Sequence, residues 1–203
     1  MMASMPNRKR LFDLAGGAAG LLVFAPILVV VAGAILLEDG TPILFRQDRL
    51  GRSRMRFTIF KFRSMRDGRI TRVGRILRAT GLDELPQFVN ILRGEMSAVG
   101  PRPLTESDVT RLGWATRPYD FRWRLSPGLT GLAQVIGSQA GRRSLALDRR
   151  YVRRPSLWLD LQLVLISFVV NLLGKQRVRL LLERRRRTTR GRWRGATIRD
   201  WPA

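Results

Sequence analysis

The longest apolar stretch of the chain lies near its N-terminus. Positions 14–37 contain no charged residue, and Asp13 and Glu38 bracket them. As a helix this stretch would be roughly 36 Å long, enough to cross the hydrocarbon core of a bilayer. A basic start and small residues near its end also suit a cleaved signal peptide, but the stretch is too long for one. The pattern therefore predicts a membrane segment.

Pro26 divides this membrane segment into two equal halves. Proline removes one backbone donor from a helix and favours a kink. Strongly basic sequence lies on both sides of the segment, whereas positive charge should concentrate on the cytoplasmic side of a membrane. A helix that enters and leaves through one face satisfies both observations, so we predict a re-entrant helix over 7–38, broken at Pro26. A kinked helix that spans the bilayer is the alternative.

A second apolar run, at positions 156–170, contains polar residues. Asp160, Gln162 and Ser167 lie within it, and Arg153 and Arg154 precede it. This composition favours a helix that lies at the membrane interface. An ordinary buried helix is the alternative.

Short strand-like runs and one helical pattern occupy the middle of the chain. Positions 42–47 and 56–62 are rich in apolar and β-branched residues, and a turn at 51–53 separates them, which predicts a β-hairpin. Positions 80–92 instead repeat apolar residues at helical spacing, which predicts one helix with a buried face. The residues of that face are Leu85, Phe88, Val89 and Leu92.

Two acidic residues, Asp83 and Glu84, fall in the first turn of this predicted helix. There the helix dipole favours ionised carboxylates, and uncommitted backbone N–H groups also favour a phosphate. Helix stability alone would account for acidic residues at this place, so the pair by itself does not establish a site. Arg78 precedes it and could bind a phosphate or pair with these acids.

The composition of the chain limits the chemical classes of partner that it can bind. The 203 residues suffice for one compact unit, and the net charge of +23 indicates a polyanionic partner: nucleic acid, a phosphate-bearing substrate or anionic lipid. A tail at 175–203 is rich in arginine, interleaved with Trp193 and Trp201, and is typical of a segment that binds lipid headgroups. RNA binding is the alternative for the tail, but no RNP-type or GXXG signature accompanies it.

The chain contains no cysteine and no histidine. Their absence excludes disulfides, thiolate chemistry, Cys/His zinc sites and histidine-based acid–base catalysis. Any chemistry must therefore use carboxylates, hydroxyls, arginine, lysine and a hard metal ion.

One predicted strand and one proline-containing loop add candidate phosphate ligands. Lys61 lies among aromatic residues, with Arg63 two positions on, and Arg102 lies between two prolines that stiffen its backbone. A guanidinium held in this way loses little freedom when it binds a phosphate with two hydrogen bonds. Positions 126–131 form a further rigid, glycine-containing turn, and no P-loop or dinucleotide fingerprint occurs.

Five motifs now stand in an order that is known from one family. They are KRLFD at 9–13 before the Pro-broken apolar segment, FKFRSM at 60–65, LDELPQ at 82–87, GPRP at 100–103 and PGLTG at 127–131. From about residue 7 to about residue 170 the chain resembles a bacterial sugar transferase of the monotopic polyprenyl-phosphate phosphoglycosyl transferase type. It looks like the form made of the catalytic domain alone, without the additional N-terminal helices of larger members.

The resemblance implies an activity. Such enzymes move a sugar-1-phosphate from a nucleoside-diphosphate sugar, usually a UDP-sugar, to a membrane polyprenyl (undecaprenyl) phosphate and release UMP. This is the first membrane step of polysaccharide or glycoconjugate synthesis. A non-catalytic basic protein that binds a membrane surface or RNA is the alternative, but it gives no reason for the ordered motifs.

The resemblance also implies roles for individual residues. Asp83 is expected to be the nucleophile that forms a covalent phosphosugar intermediate, and Glu84 to hold Mg²⁺. Lys61, Arg78 and Arg102 are expected to bind substrate phosphates, with Arg63 a weaker candidate. An ionised carboxylate needs no base for activation, and Mg²⁺ prefers carboxylate and phosphate oxygens, so these roles suit a chain without histidine or cysteine.

The expected fold is α+β and membrane-embedded, with the re-entrant helix, a small β-hairpin region and interfacial amphipathic helices. One domain is expected over 1–174, followed by the basic tail at 175–203. We expect the bacterial inner membrane as the location, with the catalytic region facing the cytoplasm and anionic lipids as partners. No nucleic acid partner is expected, and a homodimer is a candidate assembly.

The chain departs from the family pattern at several positions. Ala25 precedes Pro26 where a serine is common, so a hydroxyl that could bond the backbone at the break is missing. Ser126 and Leu132 replace a common arginine and a common tryptophan, and positions 136–139 depart from the usual polar pattern. We therefore expect nucleotide or sugar contacts near these positions to differ.

Overall fold

A long N-terminal helix packs along a small α+β body. The computed structural model describes residues 7–137 and 141–173, which form helices and three two-stranded sheets. The predicted α+β class is confirmed. The predicted tail at 175–203 lies outside the described residues.

Helix α1 (Asn7–Asp39) is the one described helix that is long and apolar enough to cross a membrane. It remains helical through Pro26, where we predicted a break. Proline removes a single helical hydrogen bond, and the bonds on either side are sufficient to continue the helix. Many apolar side chains of α1 are exposed, including Leu22, Val29 and Leu37. A membrane segment of this kind has one face for lipid and one for protein.

The predicted hairpin is present. Strand β1 (Leu44–Leu50) pairs antiparallel with β2 (Arg56–Phe62), and a 3₁₀ turn at Arg52–Arg54 joins them. The first strand begins two residues later than the predicted run. A second hairpin follows, in which each strand has two residues: β3 (Met65–Arg66) pairs with β4 (Arg69–Ile70). It leads into helix α2 (Arg72–Thr80).

The predicted helix over 80–92 is divided in the structure. A 3₁₀ segment (Leu82–Gln87) precedes helix α3 (Phe88–Arg93), because Gly81 ends α2 in a left-handed conformation and Pro86 cannot donate an α-helical hydrogen bond. The predicted buried face is only half-buried. Phe88 packs against the core cluster of Ile59, Ile91 and Met96 and also lies against Gly20 of α1, whereas Leu92 lies against Gly17 of α1. The fully enclosed residues of this region are Pro86, Gln87, Asn90 and Ile91.

A short parallel sheet brings two distant loops together. Strand β5 (Ser97–Val99) pairs with β6 (Gly128–Thr130). A Cβ atom on Gly128 would overlap the Gly100 backbone nitrogen. The two segments can therefore approach this closely only because both residues are glycine. The loop that contains Arg102 and the loop at 126–131 are therefore neighbours.

The remaining elements lie between and after these strands. Helix α4 (Glu106–Arg111) and a 3₁₀ segment (Arg117–Arg124) precede β6, and helix α5 (Leu132–Val135) follows it. Helices α6 (Arg142–Arg153) and α7 (Leu157–Leu173) complete the described chain. The sequence analysis did not predict α6.

Helix α7 exposes much of its apolar surface. Trp158 is 68% exposed, Leu165 58% and Phe168 57%, whereas Asp160 and Leu163 are buried. An ordinary buried helix would not leave these side chains in solvent, so that alternative is wrong. The exposed apolar face is typical of a helix at a membrane interface.

Both ends of α1 are bound to the same body. Near its start, the Arg10 guanidinium donates to the Ile91 and Leu92 carbonyls at the end of α3, at 2.7 Å each. At its other end, the Glu38 carboxylate accepts from the Arg72 and Val73 backbone N–H groups at the start of α2, at 2.8 Å each. These hydrogen bonds lower the pKa of Glu38, with Val73 contributing most. The termini of α1 thus cap two helices of one body.

A buried polar cluster reinforces the first of these ends. Lys9 Nζ lies 3.1 Å from Asp13 Oδ1 and 2.8 Å from Asp160 Oδ2, and both carboxylates are buried. Tyr151 donates to Asp160 at 2.7 Å, and Ser97 donates to Asp13 at 3.0 Å. The cluster joins the starts of α1 and α7, the two helices with exposed apolar faces.

Candidate active site

The 3₁₀ segment that contains Asp83 and Glu84 is fixed against the outer edge of β2. Asn90, which is fully buried, accepts from the Phe60 N–H at 3.2 Å and donates to the Thr58 carbonyl at 2.8 Å. A strand edge has unpaired backbone groups, and one amide side chain satisfies two of them here. Asn90 therefore sets the distance between the acidic pair and β2.

Glu84 and Lys61 meet across this contact. Lys61 Nζ donates to Glu84 Oε1 at 2.7 Å, with the side chains 20% and 27% exposed. Lys61 lies on β2 opposite Phe45, on the face of the hairpin that points toward the 3₁₀ segment. The structure thus brings two of the predicted site residues into direct contact, and half-buried Asp83 is adjacent to one of them.

A small pocket collects further charged and polar side chains at this ion pair. Its volume is about 20 Å³, so a larger ligand can enter only if the pocket opens. The polar side chains that line it belong to Arg49, Lys61, Glu84, Gln87, Arg102 and Gln134. Three of these, Lys61, Glu84 and Arg102, are sequence-predicted site residues.

Arg49 is the residue that the sequence analysis missed. Its guanidinium is 14% exposed, donates to Gln47 and to the Pro103 carbonyl, and lies 3.4 Å from Asp108 Oδ2. Its buried Nε has no hydrogen-bond partner among the described residues. The period-two alternation of strands could have found it, since Arg49 and Lys61 lie on the same hairpin face.

The residues that line the pocket carry a net positive charge, with Arg49, Lys61 and Arg102 against Glu84. Burial lowers the pKa of the Arg49 guanidinium, and the positive charge of Arg102 lowers it further, while Asp108 and Glu84 act in the opposite direction. Two arginines held close together in a partly desolvated pocket favour an anionic ligand between them. A phosphate or diphosphate matches this requirement.

An unused acceptor lies in the same pocket. The Gln134 side chain donates to the Gly128 carbonyl at 3.4 Å, and its buried Oε1 has no partner among the described residues. An unsatisfied buried polar atom costs free energy unless a ligand supplies the missing hydrogen bond. The pocket therefore suits a ligand that has both anionic oxygens and an N–H or O–H donor.

Arg102 owes its position to a buried ion pair. The Arg122 guanidinium donates to Asp148 Oδ2 at 2.8 Å and to the Arg102 carbonyl at 3.0 Å. Its cationic group also lies 5.2 Å from the Trp114 ring centroid and 5.8 Å from that of Trp123. The prolines on either side of Arg102 are thus only part of what holds this loop.

Two predicted phosphate ligands lie elsewhere. Arg78 is exposed in the last turn of α2 and does not line the pocket. Arg63 donates to the Asp39 and Gly40 carbonyls at 3.1 and 2.8 Å and so fixes the end of α1. Arg63 is therefore a structural residue at this place, because its guanidinium is already bonded to backbone carbonyls.

Of the positions at which the sequence departs from the family pattern, Ser126 is buried, and positions 138 and 139 lie outside the described residues.

Comparison with known proteins decides the family. The family model described as bacterial sugar transferase matches residues 4–174. The chain belongs to the bacterial sugar transferase family. This confirms the resemblance carried by the five motifs, and the match includes every predicted site residue.

Two of three relatives of this bacterial sugar transferase have names that state an undecaprenyl-phosphate glucose phosphotransferase activity, and the third is named for exopolysaccharide production. The chain is 43% identical to a UDP-glucose:undecaprenyl-phosphate glucose-1-phosphate transferase of Caulobacter vibrioides, over 78% of this chain and 67% of that protein. It is 41% identical to an undecaprenyl-phosphate glucose phosphotransferase of Komagataeibacter xylinus, over 78% of this chain and 35% of that protein. It is 37% identical to the exopolysaccharide production protein PSS of Rhizobium leguminosarum, over 81% of this chain and 94% of that protein. The chain thus spans about a third of one relative and nearly all of another.

Proposed function

We propose that this bacterial sugar transferase moves a sugar-1-phosphate from a UDP-sugar to polyprenyl phosphate, with Asp83 as the nucleophile. The observation that carries the proposal is the pocket in which Glu84 and Lys61 meet Arg49 and Arg102. Asp83 does not line this pocket but directly precedes Glu84 in the same 3₁₀ segment. The printed names of the relatives supply the substrate classes, a UDP-sugar and undecaprenyl phosphate.

The reaction proceeds in two displacements at phosphorus. The Asp83 carboxylate attacks the β-phosphorus of the UDP-sugar, the bond to the bridging oxygen breaks, and UMP leaves with that oxygen. A phosphate oxygen of the polyprenyl phosphate then attacks the aspartyl phosphosugar, and the Asp83 carboxylate is released unchanged. The product is a polyprenyl diphosphate sugar. No proton needs to be removed from either nucleophile, which suits a chain without histidine.

The residues present fit a magnesium ion. Mg²⁺ is commonly bound by one or two carboxylates together with substrate phosphates, and the structure places Glu84 at the pocket with Asp83 beside it. No group of three or more acidic residues that could hold a metal occurs within 7–137 and 141–173, so protein ligands alone would not complete the coordination. Glu84 would hold the ion, which would neutralise charge on the donor diphosphate.

The arginines bind the donor diphosphate. Arg49 supplies a buried Nε donor that has no partner in the described structure, and Arg102 supplies a second guanidinium on the facing loop. Lys61 is paired with Glu84 in the structure, and it would supply a third positive charge to the diphosphate when Glu84 holds the metal ion. Gln134 Oε1 accepts a hydrogen bond from the nucleotide or the sugar. Arg78, outside the pocket, stays a predicted phosphate ligand.

The two bound ends of α1 support a re-entrant topology. Arg10 and Glu38 hold opposite ends of the helix to one body, as a helix with both ends on the same side of the membrane requires. A re-entrant course at the cytoplasmic face of the inner membrane accounts for these contacts and for the exposed apolar side chains between them. It places the pocket at headgroup depth, where a lipid phosphate meets a soluble nucleotide sugar.

The direct test of the proposed function is an assay of UMP release. The purified chain is incubated with undecaprenyl phosphate, Mg²⁺ and each member of a panel of UDP-sugars. We expect one or a few UDP-sugars to give UMP and a matching polyprenyl diphosphate sugar. Absence of UMP release from every donor, with the protein folded, would contradict the proposal.

Arg49→Gln is expected to weaken donor use. Removal of a hydrogen bond to a charged group costs about 1.5–3 kcal/mol, which corresponds to a decrease of roughly 10- to 100-fold in kcat/KM for the UDP-sugar. Arg46→Gln is the matched control, because Arg46 lies on the same strand but is exposed on its other face. Equal kcat/KM values for the two variants would remove Arg49 from the donor site.

Labelling of single cysteines tests the topology. The chain contains no cysteine, so Ser4→Cys and Thr41→Cys each introduce one unique thiol on either side of α1. Both thiols are expected to resist a membrane-impermeant maleimide in intact cells and to react after permeabilisation. Reaction of just one of them in intact cells would show that α1 spans the bilayer.

A further inference from the structure

Helix α6 has two distinct faces. Ser144, Asp148 and Tyr151 are buried and lie four and three residues apart, which is the spacing of one helical face. The opposite face lines a groove of about 880 Å³ together with Pro118 and Tyr119. This groove is separate from the pocket at Glu84, since the two share no lining residue.

Every charged residue that lines the groove is an arginine. We call it the arginine groove, and its five arginines are Arg142, Arg149, Arg150, Arg153 and Arg154. All five are exposed, and no acidic residue lines the groove. Among the described residues none of the five has a carboxylate within 4.0 Å. Such a surface requires an anionic partner.

The position of the arginine groove along the chain indicates which partner. Arg153 and Arg154 stand directly before α7, and Trp158 in its first turn is 68% exposed. The buried Lys9–Asp160 contact fixes the start of α1, the other helix with exposed apolar side chains, at the same place. Cations next to exposed apolar and tryptophan side chains are typical of a surface at lipid headgroup depth.

We propose that the arginine groove binds the phosphate groups of anionic phospholipids in the membrane that carries the enzyme. Four guanidinium groups on α6 and that of Arg154, directly after the helix, can bind headgroup phosphates with paired hydrogen bonds. Leu145 and Ala146, which also line the groove, give it an apolar floor for the adjoining glycerol and acyl carbons. The lipid would hold α6 and, through the buried Arg122–Asp148 pair, the loop of Arg102.

RNA is a less suitable occupant on the same observations. Recognition of single-stranded RNA uses exposed aromatic rings on which bases stack. The Tyr119 ring at the groove is already stacked on Trp114, with ring centroids 6.0 Å apart, and the Phe121 ring lies under Arg149 at 5.0 Å. Tyr119 and Phe121, the aromatic side chains next to the groove arginines, are thus engaged within the protein.

The test measures binding to the detergent-solubilised full chain, without turnover, so it can fail while the proposed transferase activity stands. The probe is short-chain phosphatidylglycerol, with short-chain phosphatidylcholine, inorganic phosphate and a single-stranded RNA oligomer as comparisons. The variant Arg150→Gln/Arg153→Gln removes two groove charges. Its matched control is Arg46→Gln/Arg69→Gln, which removes two exposed charges that do not line the groove.

The groove variant is expected to bind phosphatidylglycerol about 30-fold more weakly, because each cation near an anionic lipid surface contributes roughly fivefold. The control is expected to match the wild type, and Arg150→Lys/Arg153→Lys, which retains the charge, to recover most of the affinity. Equal phosphatidylglycerol affinity in the groove and control variants would overturn the proposal. So would equal binding of phosphatidylcholine or inorganic phosphate, or tighter binding of RNA that depends on the same arginines.

Discussion

Asp83→Asn is expected to lower UMP release by at least about a thousandfold, since an amide cannot act as the nucleophile at phosphorus. Asparagine has nearly the shape of aspartate, so the 3₁₀ segment and its contact with β2 should persist. We expect membrane association and Tm to stay close to the wild-type values. The measurement is the initial rate of UMP formation with saturating UDP-sugar, polyprenyl phosphate and Mg²⁺.

Asp67→Asn is the matched control for this substitution. Asp67 is 93% exposed in the turn between β3 and β4 and adopts a positive φ of 48°, a conformation that asparagine also tolerates. The control should retain full turnover. Full turnover by Asp83→Asn as well would show that another group attacks the donor.

Arg122→Met is expected to cause the largest loss of stability, about 3–5 kcal/mol in the free energy of unfolding. The Arg122 and Asp148 side chains are 2% and 3% exposed, so methionine leaves a buried carboxylate without its cation. The loop of Arg102 also loses the hydrogen bond to its carbonyl. Chemical denaturation of the detergent-solubilised protein measures the loss, and Arg124→Met, at an exposed position nearby, is the control.

A second substitution and the pH dependence of stability test whether the unpaired Asp148 carboxylate causes this loss. Burial raises the pKa of Asp148 above its ordinary value of 3.8, while Arg122 acts to lower it, so the pKa should rise further in Arg122→Met. The variant should therefore regain stability as pH falls through this raised pKa toward 3.8, because the neutral acid is less costly to bury. Arg122→Met/Asp148→Leu should recover much of the loss at neutral pH. A double variant as unstable as the sum of the singles would contradict the ion-pair explanation.

The sequence was most informative where a local pattern determines a local structure. Two runs rich in apolar and β-branched residues, at 42–47 and 56–62, with a turn between them predicted the hairpin, and the uncharged positions 14–37 predicted the long apolar helix; the structure contains both. The helical pattern at 80–92 placed Asp83 and Glu84 in a first turn, but their expected roles came from the motif resemblance. The contact of Glu84 with Lys61 could not be predicted locally, because Lys61 lies on a different element.

The failures have a common physical cause, namely contacts between distant segments. The apolar spacing of 85–92 predicted a buried core face, but Leu92 lies against Gly17 of α1, and Phe88 contacts Gly20 of α1 as well as the core; a helical pattern alone cannot reveal these contacts with α1. Arg49 gave no local signal apart from strand alternation, and its importance depends on the proximity of Arg102. Helix α6 was not predicted, because its buried face carries Ser144, Asp148 and Tyr151 and so lacks the usual apolar stripe.

The most direct test of the central claim is the mass of the enzyme after it meets the donor alone. The wild-type chain is mixed with a reactive UDP-sugar and Mg²⁺ in the absence of polyprenyl phosphate, quenched within seconds and analysed intact and after proteolysis. The account predicts a mass increase of one phosphosugar on the peptide that contains Asp83, matched by released UMP, removed by hydroxylamine or polyprenyl phosphate and absent from Asp83→Asn. UMP formation that requires both substrates together, without any adduct on that peptide, would contradict it.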